Sequence, residues 1–181
     1  MNNIALCHFR TGETDGVSLE MEKWKTVLEH QGHSVTFISG NQDSEACYLI
    51  PELHYANKIN LEIFQQAYQE RTISARELEH QIETFAQVIQ QKLEAIIKES
   101  SIDCIIPNNI FSLGFGLSAA IAIKKAVENT GIKCICHHHD FYWERDNYKN
   151  PTCSFVSDML EQFFPPVGPN FKHVVINSLA Q

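Results

Sequence analysis

The stretch that decides the fold is Cys134-Ile135-Cys136-His137-His138-His139-Asp140-Phe141-Tyr142-Trp143-Glu144-Arg145. Its first residues are mostly apolar and predict a short buried strand, and a dense polar and aromatic run follows at once. In open α/β sheets, ligands bind at the carboxyl ends of the parallel strands. Packing alone does not account for so many polar groups at one strand end, so the stretch predicts a parallel sheet with a binding site at its edge.

Strands and helices alternate outward from this stretch along the chain. Apolar runs predict six strands, at residues 4–9, 35–39, 47–50, 102–107, 133–137 and 173–177. Helical periodicity predicts helices at residues 17–30, 61–68, 75–99, 112–129 and 154–164. This order predicts an α/β fold: a Rossmann-like, doubly wound parallel sheet with helices on both faces, forming one domain over residues 1–181.

Local signals mark several helix ends. Gly32 and Gly131 follow two of the predicted helices, where a left-handed residue ends a helix at little cost. Ser74 and Glu77 have the spacing of a capping box at the start of the longest helix. The apolar stripe of that helix is predicted to comprise Leu78, Ile82, Phe85, Ile89, Leu93 and Ile96.

Composition excludes several classes of protein. The chain has 22 acidic and 14 basic residues and a net charge of −8, whereas a nucleic-acid-binding protein needs a basic face. No apolar run approaches the roughly 20 residues that span a bilayer, and the first residues lack the basic region of a signal peptide. The six cysteines include no C-x-x-C pair, which favours reduced thiols and a cytoplasmic location.

Polar residues follow four of the predicted strands. Because the carboxyl ends of parallel strands meet at one edge of the sheet, we expect these residues to border one crevice. In chain order they are His8 and Arg10, then Asn108 and Asn109, then His138, His139 and Asp140, and finally Asn177 and Ser178.

The loop before the first predicted helix adds a possible phosphate site. Asp15 and Gly16 precede that helix, whose first N–H groups and positive dipole end suit an anion. The dinucleotide fingerprint G-x-G-x-x-G and the P-loop pattern are both absent from the loop. A plain turn at Gly16 is the alternative to phosphate contact, and the sequence leaves the two open.

The three histidines suggest a metal site as a first alternative. Side chains alternate along a strand, so His137 and His139 share one face while Cys136 and His138 share the other. Consecutive strand residues therefore make a poor tetrahedral site, and we expect no metal. A purely structural role, with a buried and hydrogen-bonded ring, fits His137 better than it fits all three.

These motifs together resemble the N-terminal domain of retaining glycosyltransferases with the GT-B fold, the large group related to sucrose and glycogen synthases. The resemblance rests on the first strand and the Asp15-Gly16 loop, on the His-Asp pair followed by aromatic residues at 139–143, and on the Asn177-Ser178 pair after the last strand. It covers essentially the whole chain. The single glycine at position 16 departs from relatives that carry two adjacent glycines there.

The resemblance implies roles for individual residues. His139 and Asp140 would be catalytic residues beside the donor sugar, and Gly16 and Val17 would bind the donor's diphosphate through the backbone. The acceptor would be bound by His8, Arg10, Asp15, Asn108, Asn109, Tyr142 and Arg145. The sequence leaves open whether His138 or His139 faces the cleft.

The resemblance also implies the reaction and the partners. The activity would be transfer of a hexosyl group from a nucleotide-diphosphate sugar to a hydroxyl of a small-molecule or glycan acceptor, without a cofactor. The donor-binding C-terminal domain of such enzymes has no counterpart within these 181 residues, so we expect the chain to be inactive alone. Its inter-domain face would then be exposed and permit self-association.

Two alternatives from other classes remain. The same crevice would serve a non-catalytic domain that binds a small molecule or a protein partner. A small-molecule enzyme of the flavodoxin or epimerase type would use it for flavin or NAD, and retention of either would show in an absorbance spectrum.

Overall fold

The computed structural model describes residues 1–41 and 47–176. Its strands are β1 (Asn3–His8), β2 (Ser34–Ser39), β3 (Cys47–Leu49), β4 (Cys104–Pro107), β5 (Lys133–His138) and β6 (Phe171–Val175). They form one sheet in the order β3-β2-β1-β4-β5-β6, and every neighbouring pair is parallel. The order reverses between β1 and β4, which places a switch point at their carboxyl ends. The predicted Rossmann-like sheet is confirmed.

The α-helices of the described part connect these strands. They are α1 (Gly16–His30), α2 (Lys58–Tyr68), α3 (Ala75–Glu99), α4 (Leu117–Thr130) and α5 (Ser154–Phe163). None of the helices in residues 1–41 and 47–176 is both long enough and apolar enough to cross a membrane.

The predicted helix ends are confirmed where the sequence carried a capping signal. The hydroxyl of Ser74 accepts a bond from the Glu77 N–H at 3.1 Å, and the Glu77 carboxylate accepts one from the Ser74 N–H at 2.8 Å. Gly32 and Gly131 both adopt left-handed backbone conformations, with φ of 84° and 71°. Such φ values cost a residue with a side chain free energy, which accounts for glycine at both positions.

Two apolar clusters lie on opposite faces of the sheet. Strand β1 shows the alternation, because Ala5 and Cys7 belong to one cluster while Ile4 and Leu6 belong to the other. The first cluster packs against α2, α3, α4 and α5, and the second packs against α1. Helices therefore cover both faces, as predicted, and the sheet is held rigid between them.

Several predicted boundaries differ from the observed ones by two to five residues; helix α2, for example, begins at Lys58 rather than at residue 61. Helix α4 begins at Leu117 rather than at residue 112, because Ser112 bonds the polar turn at Asn109 and Gly116 packs against the ring of Phe9. Strand β4 begins two residues late, since the N–H of Ile102 still bonds the end of α3. Strand β6 ends at Val175 rather than at residue 177.

The predicted stripe of α3 is wrong at its last position. Ile97 is buried there and Ile96 is only partly buried. Ile96 lies five full turns after Leu78, so the period of 3.6 residues per turn does not explain why Ile97 is the buried residue. Asn177 and Ser178, which the sequence placed at the end of the last strand, lie outside the described residues.

Candidate active site

An open cleft of about 850 Å³ lies at the carboxyl ends of β1, β4 and β5. The topology places it at the switch point of the sheet, where α/β proteins bind ligands. Nine of the eleven residues that the sequence assigned to a site border this cleft. They are His8, Arg10, Asp15, Gly16, Val17, Asn109, His139, Asp140 and Arg145.

The turn after β5 presents His139 to the cleft. Its ring lies 4.7 Å from the ring of His137, which confirms that the two share a face of the strand. The Nε2 atom of His139 is buried and has no hydrogen-bond partner in the part of the chain that the structure describes. Burial lowers the pKa of His139 below its ordinary value, although the charges of Glu20 and Asp140 oppose that shift. A neutral imidazole therefore borders the cleft, and its buried Nε2 has no partner among the described residues.

His138 points to the opposite face of β5. It is 1% exposed, and its Nε2 lies 3.0 Å from Nδ1 of His173. His137 is also buried, and its Nδ1 donates to the side-chain oxygen of Asn108 at 2.8 Å. Of the three consecutive histidines, His139 is thus the one that borders the cleft.

Asp140 and Arg145 form an ion pair on the cleft wall. The guanidinium of Arg145 donates through Nε at 2.6 Å and through a second nitrogen to the same carboxylate oxygen. These bonds, and then the charge of Asp140, raise the pKa of Arg145 above its ordinary value. The other oxygen of Asp140 accepts from the side-chain amide of Asn109 at 2.8 Å. Both oxygens of the Asp140 carboxylate therefore accept hydrogen bonds, and these bonds orient the Arg145 guanidinium and the Asn109 amide.

Asn109 holds the turn that carries these two residues. Its side-chain oxygen accepts from the N–H of His139 at 3.1 Å and from the hydroxyl of Ser112 at 2.7 Å. Its own N–H donates to the carbonyl of His137 at 2.8 Å. The backbone is left-handed, with φ of 55°, a conformation that asparagine tolerates better than most residues.

His8 closes the floor of the cleft at the end of β1. Its Nδ1 lies 2.7 Å from the carbonyl oxygen of Asn108, and since a carbonyl only accepts, Nδ1 carries the proton. Burial lowers the pKa of His8 to about 4. The ring is therefore neutral near pH 7, with Nε2 as an acceptor.

Arg10 is bound by several groups on the other wall. It pairs with Glu13 at 2.7 Å and with Asp15 at 3.4 Å. It also lies over the ring of Tyr55, 4.7 Å from the centroid, and donates to the Tyr55 hydroxyl at 2.9 Å. Tyr55 fixes the guanidinium at the mouth of the cleft.

The amino end of α1 is capped by its own chain. The carboxylate of Asp15 accepts from the N–H groups of Val17 at 2.9 Å and Ser18 at 3.0 Å. Burial acts to raise the pKa of Asp15, but the hydrogen bonds from Ser18 and Val17 outweigh it and hold that pKa below its ordinary value. The N–H of Gly16 donates to no residue of the described part. Of the two backbone N–H groups predicted to bind phosphate, those of Gly16 and Val17, only the N–H of Gly16 has no hydrogen-bond partner among the described residues.

Two predicted site residues do not border the cleft. Asn108 is 1% exposed, and its side chain bonds His137 and the carbonyl of Ile106, so it supports the sheet edge from below. Tyr142 lies beyond the ion pair and borders a neighbouring pocket with Trp143. Neither side chain lines the cleft, and their predicted roles in acceptor binding stay predictions.

No three His, Cys, Asp or Glu side chains within residues 1–41 and 47–176 are arranged to hold a metal ion. All six cysteines are free thiols. The cleft thus presents the neutral imidazole of His139 and the oriented guanidinium of Arg145, and the buried amide of Asn109 holds the turn between them. These groups suit the binding and positioning of a polar substrate.

Comparison with known proteins identifies relatives with a named activity. The chain is 40% identical to mannosylglucosylglycerate synthase of Petrotoga mobilis, over an alignment that covers 98% of this chain. It is 37% identical to mannosylglucosylglycerate synthase of Thermotoga maritima, again over 98% of the chain. The chain is a relative of these glycosyltransferases. The resemblance predicted from the sequence is confirmed.

The matched region is a minor part of each relative. The chain spans about 40% of the length of both mannosylglucosylglycerate synthases. No family model matches the chain. Two glycosyltransferase-related crystal structures overlay on it loosely. Acinetobacter baumannii MurG has 12% identity and a TM-score of 0.44, covering 90% of this chain and 39% of that one. The glycosyltransferase SsfS6 of Streptomyces sp. SF2575 has 15% identity and a TM-score of 0.41, covering 76% and 39%.

Sequence reasoning missed several residues that line the cleft. Tyr55 precedes α2 in a segment without clear periodicity, and only the contact with Arg10 reveals it. The others are apolar or aromatic and carry no chemical signal in a sequence; they are Phe9, Leu113, Phe115, Tyr148 and Ile176.

Proposed function

We propose that this chain is the acceptor-side domain of a retaining glycosyltransferase. The enzyme would transfer a hexosyl group from a nucleotide-diphosphate sugar to an acceptor hydroxyl. The observation that carries the proposal is the cleft itself, in which His139, Asp140 and Arg145 face Arg10 and the start of α1. The 40% identity to a mannosylglucosylglycerate synthase supports the same activity.

Catalysis in this proposal is positioning and charge stabilisation. The acceptor hydroxyl would attack the anomeric carbon from the face that the diphosphate leaves, so the glycosidic bond forms with retention. The bond between the anomeric carbon and the diphosphate oxygen breaks in the same step, and the hydroxyl proton passes to the departing diphosphate. His139 would lie beside the sugar on the cleft wall. The Asp140–Arg145 pair would fix the acceptor hydroxyls, which brings the reacting atoms together at little entropic cost.

The acceptor in this proposal carries a carboxylate. The relatives are named for the synthesis of a glycerate derivative, and a guanidinium is the side chain best suited to bind a carboxylate. Arg10 is one candidate, because Tyr55 holds it at the mouth of the cleft. Its present partners, Glu13 and Asp15, would exchange for the acceptor. Arg145 is the second candidate.

The donor's diphosphate would approach the amino end of α1. The free N–H of Gly16 would donate to it, while Val17 would contribute only if the Asp15 cap opens. The nucleotide would be held by a second domain outside these 181 residues. We therefore expect no sugar transfer by this chain alone, and we expect its exposed inter-domain face to permit self-association.

Binding by the chain tests the proposal directly. We expect glucosylglycerate to shift the NMR signals of His139, Arg145 and the residues around Arg10 in a saturable manner. Arg10→Met keeps the contact with Tyr55 but removes the charge, and should weaken binding about tenfold or more. Lys98→Met, which removes an exposed cation at the end of α3, is the matched control and should leave binding unchanged.

The opposite results would count against a transferase. Absence of binding by both glucosylglycerate and nucleotide sugars would overturn the proposal. Tight retention of a flavin or NAD would favour the small-molecule enzyme instead. Sugar transfer by the chain alone would contradict the expectation that it is half of the active site.

A further inference from the structure

A second and smaller pocket continues the cleft beyond Arg145. It has a volume of about 260 Å³ and lies between the turn after β5 and helix α5. Tyr148 borders both this pocket and the cleft, so a ligand in one can extend into the other. We call it the Trp143 pocket; besides Tyr148 its wall comprises Tyr142, Trp143, Ser157, Leu160 and Glu161.

Trp143 is held in a fixed orientation but left exposed. Its indole stacks on the ring of Phe141 at 4.4 Å and 8°, and Phe141 is itself 7% exposed. The indole nevertheless remains 52% exposed. Because the stacking on Phe141 fixes the indole, the exposed part of the ring offers a rigid aromatic surface to a ligand.

The backbone around Trp143 is ordered before any ligand arrives. The N–H of Phe141 donates to the carboxylate of Glu144 at 2.7 Å, and the N–H of Tyr142 donates to the carbonyl of Ser112 at 2.7 Å. These bonds fix the short 3-10 turn Tyr142–Glu144. Because the platform is pre-organised, a ligand would not have to order it on binding.

Polar groups stand around this aromatic wall. The hydroxyls of Tyr142 and Ser157 and the carboxylate of Glu161 hydrogen-bond to no residue of the described part. Burial, and then the charge of Glu161, raise the pKa of Tyr142 above its ordinary value, which places the two groups near each other. A pyranose ring has an apolar C–H face and a rim of hydroxyls, and an aromatic wall with nearby acceptors matches both.

We infer that the Trp143 pocket binds a pyranose ring, stacked on Trp143 with its hydroxyls bonded to Tyr142 and Glu161. The assignment of this ring to the acceptor rests on the proposed function, because the acceptor must enter the adjoining cleft. The acceptor would then have at least two parts, a reacting end beside His139 and a distal sugar in the Trp143 pocket.

NMR on the 181-residue chain tests the pocket without any turnover. The probe is methyl α-D-glucopyranoside, and sorbitol, a polyol without a ring, is the reference. The chain has two tryptophans, Trp24 and Trp143, whose indole N–H signals are assigned with a Trp143→Phe variant. We expect a saturable shift of the Trp143 signal with the glucoside, no such shift with sorbitol, and a constant Trp24 signal.

Substitutions then test whether the Trp143 ring itself, rather than any exposed aromatic residue, binds the glucoside. Trp143→Ala should weaken glucoside binding about tenfold or more, since it removes the stacking surface. Tyr48→Ala, which removes an exposed aromatic on β3, is the matched control and should leave binding unchanged. Equal shifts with sorbitol, no saturation, or full binding by Trp143→Ala would each overturn the inference.

The outcomes also separate the inference from the proposed function. If the glucoside binds at Trp143 but a longer protein that contains this chain binds no nucleotide sugar, the pocket would be supported and the transferase proposal would be refuted. In an active enzyme that contains this chain, Trp143→Ala should raise the acceptor KM with little change in kcat. An unchanged acceptor KM would refute the sugar-binding role of the Trp143 pocket and leave the proposed transferase function standing.

Discussion

Replacing Asn109 removes the group that holds the predicted catalytic turn. The side chain makes two good neutral hydrogen bonds, with the N–H of His139 and the hydroxyl of Ser112, and donates a third to the charged Asp140. A neutral bond contributes about 1 kcal/mol to the free energy of unfolding, and one to a charged group about 1.5–3 kcal/mol. Alanine at a left-handed position costs about 1 kcal/mol more. Together these contributions predict that Asn109→Ala lowers the free energy of unfolding by about 4.5–6 kcal/mol.

Two further variants separate the backbone cost from the lost bonds. Asn109→Gly loses the same hydrogen bonds but accepts φ of 55° freely, so it should be more stable than Asn109→Ala by about 1 kcal/mol. Asn109→Asp keeps the acceptor but sets a second carboxylate against Asp140. Its penalty relative to the unmodified chain should be larger at pH 7.5 than at pH 5, where one of the two carboxyls can take up a proton.

Urea denaturation followed by circular dichroism measures these differences. Asn147→Ala, at an exposed asparagine of the loop after Arg145, is the control and should stay within about 0.5 kcal/mol of the unmodified chain. A loss below about 1 kcal/mol for Asn109→Ala would refute the assignment of Asn109 as the centre of the turn. An alanine variant as stable as the glycine variant would refute the argument from the left-handed backbone.

Three other substitutions probe space, protonation and chemistry. Gly40→Ala would place its Cβ 2.2 Å from the backbone N of His54 and should lower the free energy of unfolding by about 3 kcal/mol or more, whereas Gly16→Ala meets nothing within 4 Å and should be tolerated; equal denaturation midpoints would contradict this. His8, with its pKa lowered to about 4, stabilises the native state above pH 6.5 and loses this effect as the pH falls, by about 2 kcal/mol at pH 5 in urea titrations. The pKa values of His137 and His138 are also lowered to about 4, so His8→Asn should reduce the pH dependence of unfolding without abolishing it, and His80→Gln, at an exposed histidine, should leave it unchanged. His139→Ala should leave the melting temperature nearly unchanged and abolish transfer in an active enzyme that contains this chain; a loss of several kcal/mol would instead assign His139 a structural role.

The sequence was enough to predict the parallel sheet, because the patterns that indicate strands and helices are local. Each strand is a short apolar run and each helix has its own period, so the βα order followed without knowledge of contacts. Strand alternation separated His137 and His139 from His138 correctly. The errors lie where a distant residue sets a boundary, as Phe9 does at Gly116 and as the pairing of β5 with β6 does at the last strand.

For the site, the sequence predicted only which residues follow the strands and so lie at the edge of the sheet. The end of a strand fixes where a residue lies but not where its side chain points, and Asn108 and Asn109 show the difference. They are adjacent and identical in type, yet Asn108 continues the pairing with β5 and turns inward, while the left-handed backbone of Asn109 swings its amide toward Asp140. That choice depends on acceptors 30 residues away in the chain, which no local pattern records. A polar residue after a buried strand can either bind a substrate or hold a turn of the chain in place. Which of the two it does is decided by the hydrogen bonds that its side chain makes in the fold.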